Sequence, residues 1–321
     1  MRSIFLKQIA IIVPFATILW LSFNLEAVLG SPRRRGFDCK DAGIRQPYLA
    51  DTINTRTLYL LGLYLPLIFI ILNELLSSRI SNQQRSAPGL KGYLVDLYLA
   101  AMPFFCGFAS ERFIKNLLKL TVGRLRPHSY TLCQPISLEG LTCNELPENS
   151  PFMLEYTCTG TMHLSSSIYK SFPSGHSSLS FYGLVYLALY LRGCSRHIKG
   201  NPGFMATIYR PSAILVQLLC LCGPAMVAIS RVFDFKHFWS DILAGALLGS
   251  IVALAFFRYS EENSKEVKRI LENNFEENAE KSIRETLKDP EAGIASFMQN
   301  NKQQQLPVCS ITMHGVEEFS L

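Results

Sequence analysis

Charged residues are scarce in this 321-residue chain, where Asp, Glu, Lys and Arg make up 17% and hydrophobic residues 49%. The mean hydropathy is +0.19, which excludes an ordinary soluble domain of this length. The chain also lacks Asn-x-Ser/Thr sequons, so N-glycosylation gives no information on its topology. Carboxylate clusters and Cys/His spacings typical of metal sites are missing as well, and we expect no metal and no other cofactor.

Six apolar stretches are long enough to cross a bilayer as helices. They cover residues 8–29, 57–76, 93–110, 176–192, 211–229 and 241–258. The first stretch resembles a secretory signal, but it ends without a small-x-small cleavage site and five more stretches follow it. We therefore predict an all-α, polytopic membrane protein with six transmembrane helices in a domain of residues 1–258.

Residues 259–321 have a different composition, with seven Lys and Arg against twelve Asp and Glu. They lack an apolar core, so we predict a mobile, acidic tail that contains a short amphipathic helix at about 261–288. The last three residues, "FSL", fit the carboxylate ligand of a strand-adding, PDZ-type domain, although so short a pattern usually arises by chance.

The loops between spans bear on the orientation of the protein in the membrane, but their charges and their cysteines point in different directions. With six spans, both termini lie on one side, and the loops at about 30–56, 111–175 and 230–240 lie on the other. Basic residues are shared between the two sides, so the positive-inside rule does not decide. These three loops hold four cysteines: Cys39, Cys133, Cys143 and Cys158. An even number suits disulfides in an oxidising compartment, and the alternative is that all four are free thiols.

Three polar clusters lie at span ends on the side of these loops. In the first, "KLTVGRLRP" (119–127), Lys119 and Arg126 are seven residues apart, nearly two helical turns. A helix would direct both side chains along one face, and Pro127 would end it. Taken alone, this cluster favours contact with lipid headgroups.

The second cluster, "PSGH" (173–176), predicts a tight turn at Pro173 and Gly175 that leads into a helix. Free N–H groups at a helix start bind anions, and Ser174 adds a hydroxyl. His176 would project from the first turn. The alternative is a plain helix cap with an incidental histidine.

The third cluster, "SRVFDFKHFWSD" (230–241), contains Arg231, whose side chain can bind phosphate or carboxylate with two hydrogen bonds. His237 and Asp241 are four residues apart and would lie together if the sixth helix begins early. A carboxylate on one imidazole nitrogen leaves the other as a nucleophile or base. Asp234 and Lys236 have no assigned role, and we expect them to be solvated.

Together the clusters supply three cations, a helix start and two histidines. This set suits a phosphate group handled without metal, because the cations neutralise its oxygens. One histidine would attack phosphorus, and the other would protonate the leaving oxygen.

The three clusters resemble the signature of the type 2 phosphatidic acid phosphatase superfamily: K-x6-R-P, P-S-G-H and S-R-x5-H-x3-D. The resemblance covers about residues 5–258. In the first loop, "RGFDCKDAGIRQPY" is similar to the animal lipid phosphate phosphatases, the wunen-like branch.

This resemblance implies that His237 is the nucleophile and forms a phosphohistidine, that Asp241 orients it, and that His176 is the acid that later activates water. It also implies the residues that hold the phosphate: Lys119, Arg126, Ser174, Gly175 and Arg231. The termini would be cytosolic, and the site would lie at the extracellular or lumenal ends of the third to sixth spans. The expected substrates are lipid phosphates of the plasma membrane.

Three functions are considered on this basis. The first is a magnesium-independent lipid phosphate phosphohydrolase acting in lipid signalling and phospholipid metabolism. The second is a catalytically silent protein that binds lipid phosphates or scaffolds a partner, but such proteins lack some signature residues. The third is a sugar-phosphate phosphatase or a vanadate-dependent peroxidase, which the first loop disfavours. No nucleic-acid partner is expected, and the oligomeric state, a homo-oligomer included, is left open.

Overall fold

The chain is mainly helical, as predicted. The computed structural model describes residues 2–82, 90–147, 149, 151–160, 166–197 and 204–288. The helices are α1 (Arg2–Leu29), α2 (Thr55–Tyr59), α3 (Leu65–Asn82), α4 (Leu90–Val122), α5 (Ser129–Cys133), α6 (Gly175–His197), α7 (Phe204–Phe233) and α8 (Trp239–Lys288). A π-helical turn at Leu60–Tyr64 joins α2 to α3, so they form one continuous helical stretch.

Within the described residues, five helical segments are long and apolar enough to cross a membrane. They are Ile12–Leu29, Thr55–Leu75, Tyr93–Val122, Pro211–Phe233 and Trp239–Val267. Each contains one of the six predicted stretches or most of it, so the chain is a multi-pass membrane protein. The remaining stretch, 176–192, forms α6 but is less apolar because serines and tyrosines interrupt it.

Helix α6 tolerates these polar residues because it lies inside the bundle, packed against α4, α7 and α8. Ser177 and Ser178 are fully buried. Their hydroxyls donate to the Ile242 carbonyl oxygen at 2.8 Å and to the Glu111 carboxylate at 2.5 Å. A helix surrounded by protein needs partners for its polar groups rather than an apolar surface toward lipid.

Glycines allow α6 to approach its neighbours closely. A Cβ atom at Gly249 of α8 would lie 2.2 Å from the Ser178 carbonyl oxygen, and one at Gly183 would lie 1.8 Å from the Gly62 carbonyl oxygen in the π turn. Neither distance leaves room for a methyl group. The backbone of α6 therefore rests directly on two neighbouring helical segments, a packing mode common in membrane bundles.

The loops on the side of the predicted site form a small structure stabilised by disulfides. Strand β1 (Phe37–Asp38) pairs antiparallel with β3 (Phe152–Met153), and β2 (Pro135–Ser137) pairs with β4 (Tyr156–Cys158). Disulfides join Cys39 to Cys143 and Cys133 to Cys158. All four cysteines of the three loops are thus paired, and the long connection from 128 to 172 has secondary structure of its own.

Helix α8 continues without a break past residue 258, where we place the boundary between membrane domain and tail. It ends at Lys288, so the helix expected at about 261–288 is the continuation of the last predicted span. The remainder of the tail, including the terminal "FSL", lies outside the described residues.

The contact between α6 and the π turn yields a test of this packing. We expect Gly183→Ala to lower the thermal unfolding temperature of the purified protein, because the added methyl group would overlap the Gly62 carbonyl oxygen. Overpacking costs about 1–3 kcal/mol, more than the roughly 1 kcal/mol that alanine gains over glycine in a helix. Gly193→Ala is the control on the same helix, since its Cβ would meet only Phe257, at 3.7 Å. Equal unfolding temperatures for the two variants would contradict this account.

Candidate active site

The predicted site residues meet at one end of the bundle, supplied by three segments. Lys119 lies near the end of α4. This helix ends at Val122, so the prediction that one helix carries both Lys119 and Arg126 and ends at Pro127 is wrong. A Cβ atom on Gly175, the first residue of α6, would contact the Lys119 Cε atom at 3.8 Å. The Ser174 N–H donates to the Asp241 carbonyl oxygen at 2.9 Å. Arg231, in the last turn of α7, and His176 are within electrostatic reach of each other.

His237 lies in the short connection between α7 and α8. Its N–H and that of Lys236 donate to the Arg231 carbonyl oxygen, at 3.3 and 2.9 Å. Phe235 adopts a left-handed conformation with φ of 51°, and its carbonyl oxygen contacts His128 Nδ1 at 2.7 Å. That oxygen can only accept, so His128 carries a proton on Nδ1. His128 thereby fixes the loop that holds His237.

The predicted pairing of His237 with Asp241 takes a looser form than the helical spacing indicated. Helix α8 begins at Trp239, two residues after His237, so the two side chains are not on one helical face. His237 Nδ1 lies 3.7 Å from Asp241 Oδ2, beyond hydrogen-bond distance, and this nitrogen is buried without a hydrogen-bond partner. The carboxylate acts on the imidazole through its charge.

Asp241 itself is held by groups that the sequence pattern did not single out. Arg124 Nη1 donates to Oδ1 at 2.6 Å, and the same nitrogen contacts the Ser240 hydroxyl at 2.7 Å. The Ser171 hydroxyl and the Phe238 N–H donate to Oδ2, at 2.6 and 3.0 Å. Arg124 lies inside the quoted first cluster, so its basic side chain beside Arg126 was a visible signal.

The three predicted phosphate-binding cations differ in the hydrogen bonds and ion pairs that they form. Lys119 Nζ donates to the Lys170 carbonyl oxygen at 3.1 Å. The buried Nε atom of Arg126 has no hydrogen-bond partner. Arg231, 1% exposed, donates to two carboxylates, those of Asp51 and Asp234.

The expectation that Asp234 and Lys236 are solvated is wrong. Both are buried, at 5% and 4% exposure. Asp234 forms an ion pair with Arg231 and accepts hydrogen bonds from Thr52. Lys236 lies over the Tyr48 ring at 3.6 Å, and its Nζ is 3.7 Å from Asp51. A buried charge needs a partner, and first-loop residues, distant in sequence, supply it.

The start of α6 carries the remaining predicted residues. The Ser174 hydroxyl caps the helix by accepting from the Ser177 N–H, at 3.4 Å. His176 Nε2 contacts the Ile53 carbonyl oxygen at 3.1 Å, which places the proton on Nε2. His176 is half-buried, beside the first loop.

Electrostatics keep the His237 imidazole neutral. Burial lowers the pKa of His237 well below its ordinary 6.5, and the charges of Arg126 and Lys119 lower it further, whereas Asp241 opposes the shift. Burial also lowers the pKa of Arg126, which the Asp51 carboxylate partly offsets; a guanidinium remains charged nonetheless. An uncharged imidazole among cations is suited to attack an anionic centre.

In the described part of the chain, no group of three or more His, Cys, Asp or Glu side chains is arranged to hold a metal ion.

Comparison with known proteins identifies the family. Residues 100–265 match the model of the PAP2 superfamily, and no solved structure matches the chain. A Drosophila melanogaster protein named "Putative phosphatidate phosphatase" is 32% identical over 249 residues, which are 72% of this chain and 62% of that protein. Phospholipid phosphatase 1 of Rattus norvegicus is 30% identical, covering 73% of this chain and 80% of its own length.

Phospholipid phosphatase 2 of Homo sapiens is also 30% identical, over 73% of this chain and 75% of the human protein. The chain thus spans less than two thirds of the fly relative but three quarters or more of the two mammalian ones. The family model ends within α8 and includes every predicted site residue. The chain belongs to the PAP2 superfamily, in its lipid phosphate phosphatase branch.

Proposed function

We propose that this membrane protein is a lipid phosphate phosphohydrolase that removes the phosphate monoester from phosphatidate, lysophosphatidate, sphingosine 1-phosphate or related lipids. The observation that carries the proposal is the buried, neutral His237 beside Asp241 and within reach of Lys119 and Arg126. The names of the relatives support the substrate class. The site also lies at the end of membrane-spanning helices, where a lipid can present its headgroup while its chains stay in the bilayer.

The reaction would proceed in two displacements. His237 attacks phosphorus through the nitrogen that faces away from Asp241, so a P–N bond forms as the ester P–O bond breaks. His176, protonated on both nitrogens in this step, gives the proton of Nδ1 to the leaving alkoxide, which departs as an alcohol such as diacylglycerol. His176 then removes a proton from water, and the hydroxide attacks the phosphohistidine and releases inorganic phosphate.

The cations would neutralise the phosphate during both steps. Lys119, Arg126 and Arg231 supply positive charge, and Ser174 and Gly175 supply groups at the helix start. The buried setting strengthens these contacts because water does not screen them. The signature residues are all present, which favours catalysis over a silent lipid-binding role.

The membrane topology is part of the proposal. We infer six spans, with α6 as the fourth, cytosolic termini, and a site that faces the outside or the lumen, most simply at the plasma membrane. The disulfides support this orientation, because they form in oxidising compartments. The apolar cluster that contains Cys39 and Cys133 also contains Leu125, and Phe238 packs against it beside the site.

The nucleophile can be tested with the purified protein in detergent micelles and EDTA. We expect the wild type to hydrolyse phosphatidate faster than a soluble sugar phosphate, and His237→Ala to lose at least about 1000-fold in kcat, as removal of a nucleophile does. Quenching the wild type in alkaline detergent, where a P–N bond is stable, during turnover of phosphate-labelled lipid should trap label on the protein. His237→Ala should carry no label.

His197→Ala is the matched control, since His197 ends α6 at the opposite end from the site. It should hydrolyse phosphatidate as the wild type does. Full activity of His237→Ala would refute the phosphohistidine mechanism, whereas a wild type without phosphatidate hydrolysis would refute the proposed function.

Arg124 offers a test of how Asp241 is positioned. Without its guanidinium, Asp241 loses its charged partner and acts more strongly on His237. Arg124→Gln should therefore raise the pKa of His237, so that His237 is protonated at higher pH and the acid limb of kcat/KM shifts upward. We also expect kcat/KM to fall by up to about 100-fold, the cost of a small misplacement.

Arg124→Lys keeps the positive charge and should leave the acid limb near its wild-type position. A uniform loss of activity in Arg124→Gln, with an unchanged pH profile, would contradict the positioning role.

A further inference from the structure

The Asp51 carboxylate lies among the cations of the site, although the catalytic mechanism does not use it. Its Oδ1 atom accepts from Arg231 Nη1 at 3.0 Å and lies 3.7 Å from Lys236 Nζ. Asp51 is also the main attractive charge acting on Arg126, and it acts on His176. An anionic group from the first loop therefore sits where the charges that bind phosphate converge.

The backbone around Asp51 is anchored, so its position does not depend on the side chain alone. The Thr52 N–H and hydroxyl donate to the Asp234 carboxylate at 2.8 and 2.6 Å. The next residue, Ile53, accepts from His176 through its carbonyl oxygen at 3.1 Å. Three hydrogen bonds formed by Thr52 and Ile53, the residues that follow Asp51, thus hold this part of the first loop at the site.

The two carboxylates on Arg231 differ in how easily they can be displaced. Asp234 is buried and also holds Thr52, so removing it from Arg231 would leave a buried charge unpaired. Asp51 is 40% exposed and can rotate toward solvent without breaking the backbone bonds of Thr52 and Ile53. A phosphate that binds Arg231 therefore competes with Asp51 and leaves Asp234 in place.

We propose that Asp51 is a built-in competitor for the phosphate group, which holds Arg231 and Lys236 until phosphate oxygens displace it. The inference rests on the proposed function, because it takes Arg231 as a phosphate ligand. Displacement frees one guanidinium nitrogen of Arg231 and the Lys236 ammonium together. Lys236 is then a further cation for the bound phosphate.

The competitor weakens binding of every phosphate, but the consequence is greatest for the product. Inorganic phosphate binds through its charges alone, whereas a lipid substrate also keeps its chains in the bilayer. Repulsion between the Asp51 carboxylate and the phosphate dianion favours release after hydrolysis of the phosphohistidine. The site can therefore carry many cations without retaining its product.

Asp51→Asn tests the proposal, since asparagine has the same shape without the charge. The affinity for inorganic phosphate is measured twice on the full-length protein in detergent: as Ki against phosphatidate hydrolysis, and as the rise in unfolding temperature with phosphate concentration. We expect Ki to fall by about 5- to 150-fold, the usual range of coupling between two ligands. KM for phosphatidate should fall as well.

Asp38→Asn is the control, because it removes an exposed acid from the same loop away from the site cations. It should leave Ki unchanged. Unchanged or weaker phosphate binding by Asp51→Asn would overturn the proposal, since Asp51 would then merely hold Arg231 in place. Asp51→Ser is a second variant, and failure of both to fold would also overturn it, because a displaceable contact is not essential to the fold.

The two readouts separate this inference from the proposed function. If the wild type binds phosphate and Asp51→Asn binds it more tightly, but neither hydrolyses phosphatidate, the role of Asp51 as a competitor is supported and the proposed phosphatase function is refuted. If the wild type hydrolyses phosphatidate and Asp51→Asn has the same Ki, the proposed phosphatase function is supported and the role of Asp51 as a competitor is refuted.

Discussion

The buried carboxylate of Asp241 joins the segments on which the site is built. It binds Arg124 and Ser171, which follow α4 and precede α6, and the Phe238 N–H of its own connection. Its backbone carbonyl accepts from Ser174 at the start of α6. An unpaired charge at this depth would be costly, so these donors stabilise the fold that places Asp241 beside His237. The contacts that stabilise this part of the fold are therefore the ones that hold Asp241 in its proposed role.

The surrounding cations pose the opposite problem, because like charges gathered in a buried place repel one another. Acidic residues at different depths balance them: Asp234 is buried beside Arg231, and Asp51 reaches in from the first loop. Side chains from distant parts of the chain thus balance the charges of the cations. The connection from α7 to α8 is short because both of its ends contribute to this arrangement.

Much of this arrangement could be predicted from local sequence patterns. The apolar stretches located the helices, and the three clusters gave the chemical groups and the span ends on which they lie. The resemblance to a known family gave those groups roles that remain proposals. Cysteines in loops on one side were compatible with disulfides or free thiols, and the structure pairs all four of them. Such patterns work because helix periodicity and span length are properties of neighbouring residues.

The partners of the buried charges could not be predicted in this way. Thr52 and Asp234 are 182 residues apart, and no periodicity connects them. Nor did the spacing of His237 and Asp241 reveal that α8 begins only at Trp239, after a left-handed Phe235. Helix α6 was located by its apolar residues, but its serines make sense only once its protein neighbours are known.

The length of α8 has a consequence for the opposite face of the membrane. Its 50 residues extend roughly 75 Å at about 1.5 Å per residue, whereas a bilayer with its headgroups is about 45 Å thick. A helix that starts at one face of the membrane is therefore roughly 30 Å longer than a perpendicular crossing requires, so its charged last turns extend past the opposite face.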